Sequence, residues 1–459
     1  MGIVQQDGSR RATTALPSKS PLQARPEIAI LGAGIGGLAL AIGMIRRGVA
    51  VTIYEAAEEF SAVGAGIGFG PNALNSIDLL DPRFRQMYEA AATANERPEF
   101  EHSVFDALYA EEGFGEKRGW KRGLVGAPYF FRSSAHRKDL LQIMTELIPE
   151  GVVKFNKRAK SIHQSNNNVT IAFDDGQTIT VDALIGCDGV KGATRGLVLG
   201  KTHPEQVAPT YCNMYIYRGI IPMKDCKEVL GQHAGDAKWF MRKDQGVAIY
   251  PIQKGAAENF VFFVNDHKGW TGPPVAIPRT KEEMREDLAG FDERLLKLLD
   301  WAQPLQWPTY HHPKTHTYFK GRICLLGDVA HATTPHQAAG ASQGLEDAVV
   351  LSRLLAAVQN PDELDAAFRV YDRIRRPRAQ RVAQTSYEAG VMYSWNDPNF
   401  GDDMQKIVDN ANERLHWIWQ HDLKGDADNA EAEFLQMTRG SEKSSTVVTV
   451  NGSGMKHKL

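Results

Sequence analysis

Three glycines and one acid near the start of the chain have the types and spacing to hold a dinucleotide. Gly32, Gly34 and Gly37 follow the G-x-G-x-x-G pattern, and Glu55 stands about 20 residues beyond them. The first glycine makes a tight turn and the second lets backbone approach a pyrophosphate. The third lets a helix pack closely on its strand, with the helix N-terminus facing the phosphates. Glu55 is placed to accept from two ribose hydroxyls and to repel a 2′-phosphate. The pattern indicates an adenine dinucleotide and leaves NAD and FAD both open. Beyond Glu55, Gly64, Gly66, Gly68 and Gly70 alternate along the chain. That spacing suits backbone lying flat against a ligand, or equally a glycine-softened strand. Arg137 opens a helix-like run and can reach a diphosphate with both arms, although a lone arginine is more often a surface charge.

Chemistry of this kind needs particular elements around it. The apolar run 28–31 reads as a strand entering Gly32, and Leu38, Leu40, Ala41, Met44 and Ile45 read as the helix leaving Gly37. Val49, Val51 and Ile53 alternate as a second strand that ends at Glu55. Residues 133–141 look like an N-capped helix start. Residues 169–173 and 179–181 flank Asp174-Asp175-Gly176 as a hairpin. Two more apolar runs end in polar-plus-glycine clusters, at Asp188-Gly189 and at Gly327-Asp328. Ligands bind at the carboxyl ends of strands in an open parallel sheet, so one cofactor is expected to span Gly32, Asp188 and Asp328.

Between about 200 and 310 the texture turns β-rich. An antiparallel sheet is expected there as a second domain, with one face roofing a pocket. Arg218 and Tyr250 lie on its strands, and Pro251 marks a strand end. Residues 330–344 form a small-residue loop before an amphipathic helix, and helices follow to about 425. Arg373, Arg375, Arg376, Arg378 and Arg381, interrupted by Pro377, read as a solvated, salt-bridged helix face. His311, His312 and His316 lack Cys or Glu companions at ligand spacing, so no metal site is expected.

The chain has 459 residues and a formal net charge of −2, which suits two or three domains and gives no sign of nucleic acid or an anionic membrane as partner. No apolar run reaches the length of a membrane-spanning helix. The four cysteines show no C-x-x-C and are expected as free thiols of a reducing compartment. Residues 1–26 are polar, with Arg10, Arg11, Ser18, Pro17, Pro21 and Pro26, and read as a disordered tail rather than a mitochondrial address. Residues 440–459 read as a second flexible tail. The final Lys456-His457-Lys458-Leu459 is a distant match to a peroxisomal S-K-L address; the cytoplasm is the expected location, with the peroxisome as the alternative.

Four pieces, in this order and spacing, carry a family resemblance. They are the Gly32 fingerprint with Glu55; His136-Arg137; Cys187-Asp188-Gly189-Val190-Lys191 with Arg195; and Gly327-Asp328-Val329-Ala330-His331 through Glu346-Asp347-Ala348. The chain resembles the single-component FAD-dependent aromatic hydroxylases (group A flavoprotein monooxygenases), particularly the salicylate hydroxylase-like fungal branch. The implied fold is α/β: a Rossmann-like FAD-binding domain, GR2-type and p-hydroxybenzoate hydroxylase-like, with an inserted antiparallel substrate sheet and C-terminal helices. The expected division is 27–200 with 311–375 for FAD, 201–310 for substrate, and 376–439 as a helical region.

The resemblance implies bound FAD and a transient NAD(P)H co-substrate. Glu55 would hold the adenosine ribose, Gly68 would lie along the cofactor, and Arg137 would reach its diphosphate side. Asp188 would belong to a motif shared by FAD and NAD(P)H, Asp328 would meet the ribityl or diphosphate region, and the loop to Ala341 would pass under the isoalloxazine. Members often have glycine where Ala338 and Ser342 stand here.

The implied reaction is hydroxylation of a phenolic ring, salicylate-like or derived from a polyketide of secondary metabolism, by a flavin C4a-hydroperoxide formed from O₂. In such relatives an arginine and a tyrosine hold the phenolate, which makes Arg218 and Tyr250 the catalytic candidates. Arg218 is equally read as one half of a cross-sheet salt bridge, and Tyr250 as a core residue. The competing functions are a same-fold epoxidase or non-phenolic hydroxylase, and a flavin-binding protein without turnover. A monomer or homodimer is expected.

Overall fold

The computed structural model describes residues 25–60, 66–272 and 275–440. Most of both tails expected from the sequence therefore lies outside the described residues.

Period-two apolar runs build two large sheets, and the first carries the fingerprint. Its strand order is Phe319–Lys320, Ile323–Leu325, Ala183–Gly186, Ile28–Leu31, Thr52–Tyr54, Val153–Lys154. All neighbours are parallel except the first pair. Ile30 pairs with Ile185 on one side and Ile53 on the other, and Ile185 pairs with Cys324. The strands ending at Gly32, Cys187 and Leu326 are thus adjacent, so residues some 150 positions apart in sequence meet at one sheet edge. Every residue of Ile28–Leu31 and Ala183–Gly186 is buried, as parallel strands covered on both faces must be. The helices Ile35–Arg46 and Gly340–Ala357 pack against each other over this sheet. A Cβ on Gly43 would stand 2.6 Å from Ser352 Oγ, so glycine sets how closely they approach.

The second sheet runs Ile277–Pro278, Leu305–His311, Thr210–Pro222, Ala257–Asn265, Gln245–Ile252, Lys238–Arg242, Ser103–Tyr109, Leu124–Gly126. It is antiparallel apart from the Lys238–Arg242 and Ser103–Tyr109 pair. Alternation assigns its two faces. Phe105, Trp239, Met241 and Phe263 share one core with Ile407 and Leu415 of the helix Met404–Trp419. Phe240, Val247, Phe260 and Phe262 share another with Leu230 and Leu295. A three-stranded sheet (Thr178–Val181, Val169–Phe173, Ala159–Gln164) contains the expected hairpin. A two-stranded one joins Gly66–Gly68 to Ser134–His136.

Four expectations are corrected. The strands Ser103–Tyr109 and Leu124–Gly126 fall in the expected FAD unit 27–200 but complete the second sheet, because Asp106–Tyr109 offers its edge to Lys238–Met241. The division at 375/376 falls inside one helix, Leu364–Tyr393, which runs through Pro377. Buried Phe368 and Tyr371 before the proline, with Ala379 and Val382 after it, hold both halves on the protein core. Ser133 and Ser134 do not cap the next helix. Ser134 is in a strand, and His136 caps Arg137–Glu146 by accepting from the Lys138 amide at 3.2 Å. The helix expected from 345 begins at Gly340.

Candidate active site

The fingerprint loop shows why each glycine is required. Gly32 has φ +107°, and a Cβ there would lie 2.4 Å from the Cys187 carbonyl oxygen. A Cβ on Gly37 would lie 2.1 Å from the Gly32 carbonyl oxygen. Gly34 is different, because a Cβ there meets nothing within 4 Å and points into open space. Gly34 is the N-cap of Ile35–Arg46 with no side-chain cap bond, so the first amides of that helix are left to an outside acceptor. Glu55 follows Thr52–Tyr54 and accepts from the Ala33 amide at 2.7 Å and the Ala57 amide at 2.9 Å. An open cradle at the helix N-terminus with a carboxylate beside it fits FAD.

This contrast gives a test. Gly34→Val is expected to fold with wild-type stability while losing FAD, because its side chain fills only the cradle. Gly37→Ala is expected to destabilise the protein itself. Denaturation of both apo-proteins alongside the flavin content of each would separate them, and equal stability would contradict the geometry.

A cavity of about 520 Å³ extends from Gly34 across the ends of the parallel strands to the second sheet. Among the predicted site residues, Gly34, Gly68, Arg137, Asp328, Ala341, Arg218 and Tyr250 line it. Gly32, Gly37, Glu55 and Asp188 do not. Gly32 and Gly37 shape the loop behind it, and Glu55 braces that loop. The Asp188 carboxylate turns away to accept from the Thr194 amide at 3.0 Å and hydroxyl at 2.5 Å, leaving Gly189 at the cavity wall. Burial raises the Asp188 pKa, against those bonds. Arg195 is fully buried and donates to the carbonyls of Gln206, Val329, Ala330 and Lys314, which fixes the loop carrying Asp328.

The roof comes from alternate residues of the second sheet. Arg218 pairs with Val261, which pairs with Ala248 on its other side, and Tyr250 lies two residues further along. The Arg218 guanidinium stacks on Trp307, 4.4 Å from the ring centre, and its Nε has no hydrogen-bond partner. No carboxylate of the described residues lies within ion-pair distance, so the salt-bridge reading finds no acid there. Burial first, then repulsion from Arg137, lowers its pKa, yet a guanidinium stays charged at neutral pH. Tyr250 donates to the Gly66 carbonyl at 2.7 Å, and its ring lies 4.8 Å beneath the Arg132 guanidinium. Burial pushes its hydroxyl up to about 12, with Arg132 opposing, so it stays protonated.

The sequence reading did not single out several lining residues: Arg132, Trp239, Phe263 and His336. No motif contains Arg132. Trp239 and Phe263, stacked at 5.3 Å, become visible as wall residues only once the strand register is known. Ala338 lines the cavity with φ +49° and ψ 30°, left-handed backbone that favours glycine and costs alanine roughly 1–2 kcal/mol.

The arginine run after 370 is also corrected. Arg375 and Arg378 are buried rather than solvated. Arg375 pairs with Glu346 at 2.8 Å and Asp347 at 2.9 Å, Arg378 pairs with Glu346 at 2.7 Å, and His331 meets Asp347 at 2.5 Å. This network fastens the helix Gly340–Ala357, which starts under the cavity, to the long helix behind it. Burial would raise the Glu346 carboxyl, but the two arginines outweigh it and hold the pKa at about 2. Burial acts the same way on Asp347, where His331 and Arg375 prevail and hold it at about 2. Arg373, Arg376 and Arg381 remain on the outer side. All four cysteines are free. Among the described residues no group of three or more His, Cys, Asp or Glu side chains could hold a metal, and no helix is long and apolar enough to cross a membrane.

Residues 25–386 match the family model described as an FAD binding domain. An FAD-dependent monooxygenase of Gibberella moniliformis is 41% identical, over 88% of this chain and 95% of its own. A 6-methylsalicylate 1-monooxygenase of Aspergillus terreus is 35% identical over 90% and 94%. A solved salicylate hydroxylase substrate complex superposes with a TM-score of 0.77 at 30% identity, covering 89% of this chain and 98% of that one.

Proposed function

The chain belongs to the FAD-binding-domain family and is an FAD-dependent monooxygenase, and from that premise we propose that it hydroxylates an ionised phenolic ring, salicylate-like or polyketide-derived, using NAD(P)H and O₂. The observation that carries this reading is Arg218: a cation with no acid partner among the described residues, facing a cavity walled by Ile216, Val261, Phe263 and Trp239.

Gly34, Glu55, Gly68, Arg137, Asp328 and Ala341 are the residues proposed to hold FAD, with Asp188 acting through the loop that ends in Gly189. The chemistry a flavin held there would supply is an electrophilic oxygen derived from O₂, with NAD(P)H as the reductant. An electrophile reacts with an electron-rich ring, so the protein's task is to bind the phenol as its anion, the proton being released to water, and to hold the ring still. Arg218 favours the phenolate by direct charge attraction. Trp239 and Phe263, stacked on each other, offer one aromatic wall for the ring to pack against, and Tyr250 lines the same cavity two strands from Arg218 with its hydrogen given to the Gly66 carbonyl.

The test is turnover. Purified protein carrying FAD is expected to oxidise NADH or NADPH at least ~10-fold faster with a hydroxybenzoate or a resorcylic aldehyde than without, and to release a ring-hydroxylated product, since positioned groups of this kind contribute factors of that order or more. Oxidation indifferent to every phenol, with FAD intact, would overturn the reading.

A further inference from the structure

The aromatic ring against Arg218 lies outside the pocket it serves. Trp307 stands on the strand Leu305–His311, where Ile216 of Thr210–Pro222 pairs with it directly. Arg218, two residues beyond Ile216 on the same face, reaches diagonally across the strand pair, and its guanidinium carbon lies 4.4 Å from the centre of the Trp307 ring. Ile216 and Arg218 line the cavity and Trp307 does not. The indole therefore reaches a ligand only through the arginine. Resting on the phenolic reading above, we propose that Trp307 is the positioning residue of Arg218: its ring face holds the guanidinium as an unneutralised cation, so that the N–H donors stay free for a phenolate oxygen.

The alternatives to an aromatic ring show what it does there. A carboxylate in that position would also stabilise the cation, but it would take up the donors and cancel the charge that the ligand needs. An aromatic face attracts a cation through its quadrupole and leaves the charge in place. The Arg218 Nε has no hydrogen-bond partner, and neither has the Trp307 Nε1, so the contact is one of ring and charge. That charge is confined at a cost. Burial removes its hydration, and Arg137, lining the same cavity, repels it. With no acid among the described residues to balance this, the ring of Trp307 is what steadies the cation.

The backbone keeps the two side chains together. Gly219, next to Arg218, forms a bridge with Ala302, and a Cβ on it would lie 2.4 Å from the Trp301 carbonyl oxygen. The Gln303 amide donates to the Arg218 carbonyl at 2.9 Å. These contacts close the segment 301–307 on the strand of Arg218 and so fix the approach of indole to guanidinium.

The experiment is a double-mutant cycle on the FAD-loaded protein. Wild type, R218A, W307L and R218A/W307L, with W307F as the conservative variant, are titrated with a resorcylic aldehyde while the flavin absorbance is followed. W307L is expected to keep its flavin and to weaken binding by about 10-fold, the size of a desolvated cation–π contact, and W307F by about 3-fold, because a phenyl face is retained. In the R218A background the W307L change is expected to cost less than about 2-fold, since the ring then has no cation to hold. A merely structural tryptophan would cost as much in both backgrounds. The proposal is overturned if W307L costs as much in R218A as in wild type, if W307L binds as wild type does, if W307F falls as far as W307L, or if W307L loses its FAD. Should W307L not fold, W307F in the two backgrounds makes the same comparison, with a loss expected only where Arg218 is present. Failure of the phenolic reading looks different: R218A itself then binds the aldehyde as wild type does, and both readings fall together.

Discussion

Arg218→Ala is expected to keep its FAD and to lose ring hydroxylation by about 100-fold at pH 7, with the deficit shrinking as pH rises. An adjacent cation lowers the pKa of an acid by about 1–3 units, each unit being about 1.4 kcal/mol, and a free phenol ionises near 10. With Arg218 present the bound phenol is ionised at lower pH, so the anion fraction at pH 7 is raised by the antilogarithm of that shift. Without it, ionisation waits for pH values near 10, where the two proteins converge. A pH profile of product formation for both enzymes, with bound flavin measured spectroscopically, checks this. Lost flavin, unchanged turnover, or a deficit that stays constant with pH would each contradict the role given to Arg218.

Arg375→Met is expected to cost the fold about 3–5 kcal/mol, the range found when one partner of a buried ion pair is removed and the other left uncompensated. Glu346 and Asp347 are both fully buried and both lean on Arg375. The adjacent Arg376 pairs with Asp372 from a partly exposed position, so Arg376→Met is expected to cost less than about 1 kcal/mol. Urea unfolding of the two variants at pH 7 makes the comparison.

The pH dependence has a definite sign. Both carboxylates have folded pKa values of about 2, below the usual range, so their contribution is present above about pH 4 and is lost as pH falls through about 2. In Arg375→Met the carboxylates lose a cation, and protonation then relieves their burial. The gap between variant and wild type is therefore expected to narrow as pH falls. A gap that widened in acid would contradict the network.

How much could be read in advance depended on how local each determinant is. The fingerprint at Gly32, Gly34 and Gly37 is legible because strand, turn and helix lie within some 20 contiguous residues, and each glycine answers to its immediate neighbours. The start of the Arg137 helix is not legible locally, because Gly66–Gly68, some 65 residues earlier, recruits Ser134–His136 into a strand. The arginine run after 370 has the spacing of a solvated helix face. Nothing within it tells Arg375 from Arg376, since the acids that bury Arg375 lie on another helix.

By itself the sequence determined the dinucleotide fingerprint with its acid, the three strand ends meant to meet one cofactor, and the order of motifs that carries the family. These are consequences of short-range backbone geometry and hydrophobic period, which survive without knowledge of partners. Only the tertiary structure decided which side chains face the cavity and that Arg218 meets no acid among the described residues. The turn of the Asp188 carboxylate to Thr194, away from the cavity, and the donation of the Tyr250 hydrogen to Gly66 belong there too, as does the place of Arg132 over the Tyr250 ring. Those facts depend on register between distant strands, where a shift of one residue exchanges the two faces of a sheet, and on which charges burial leaves without a partner.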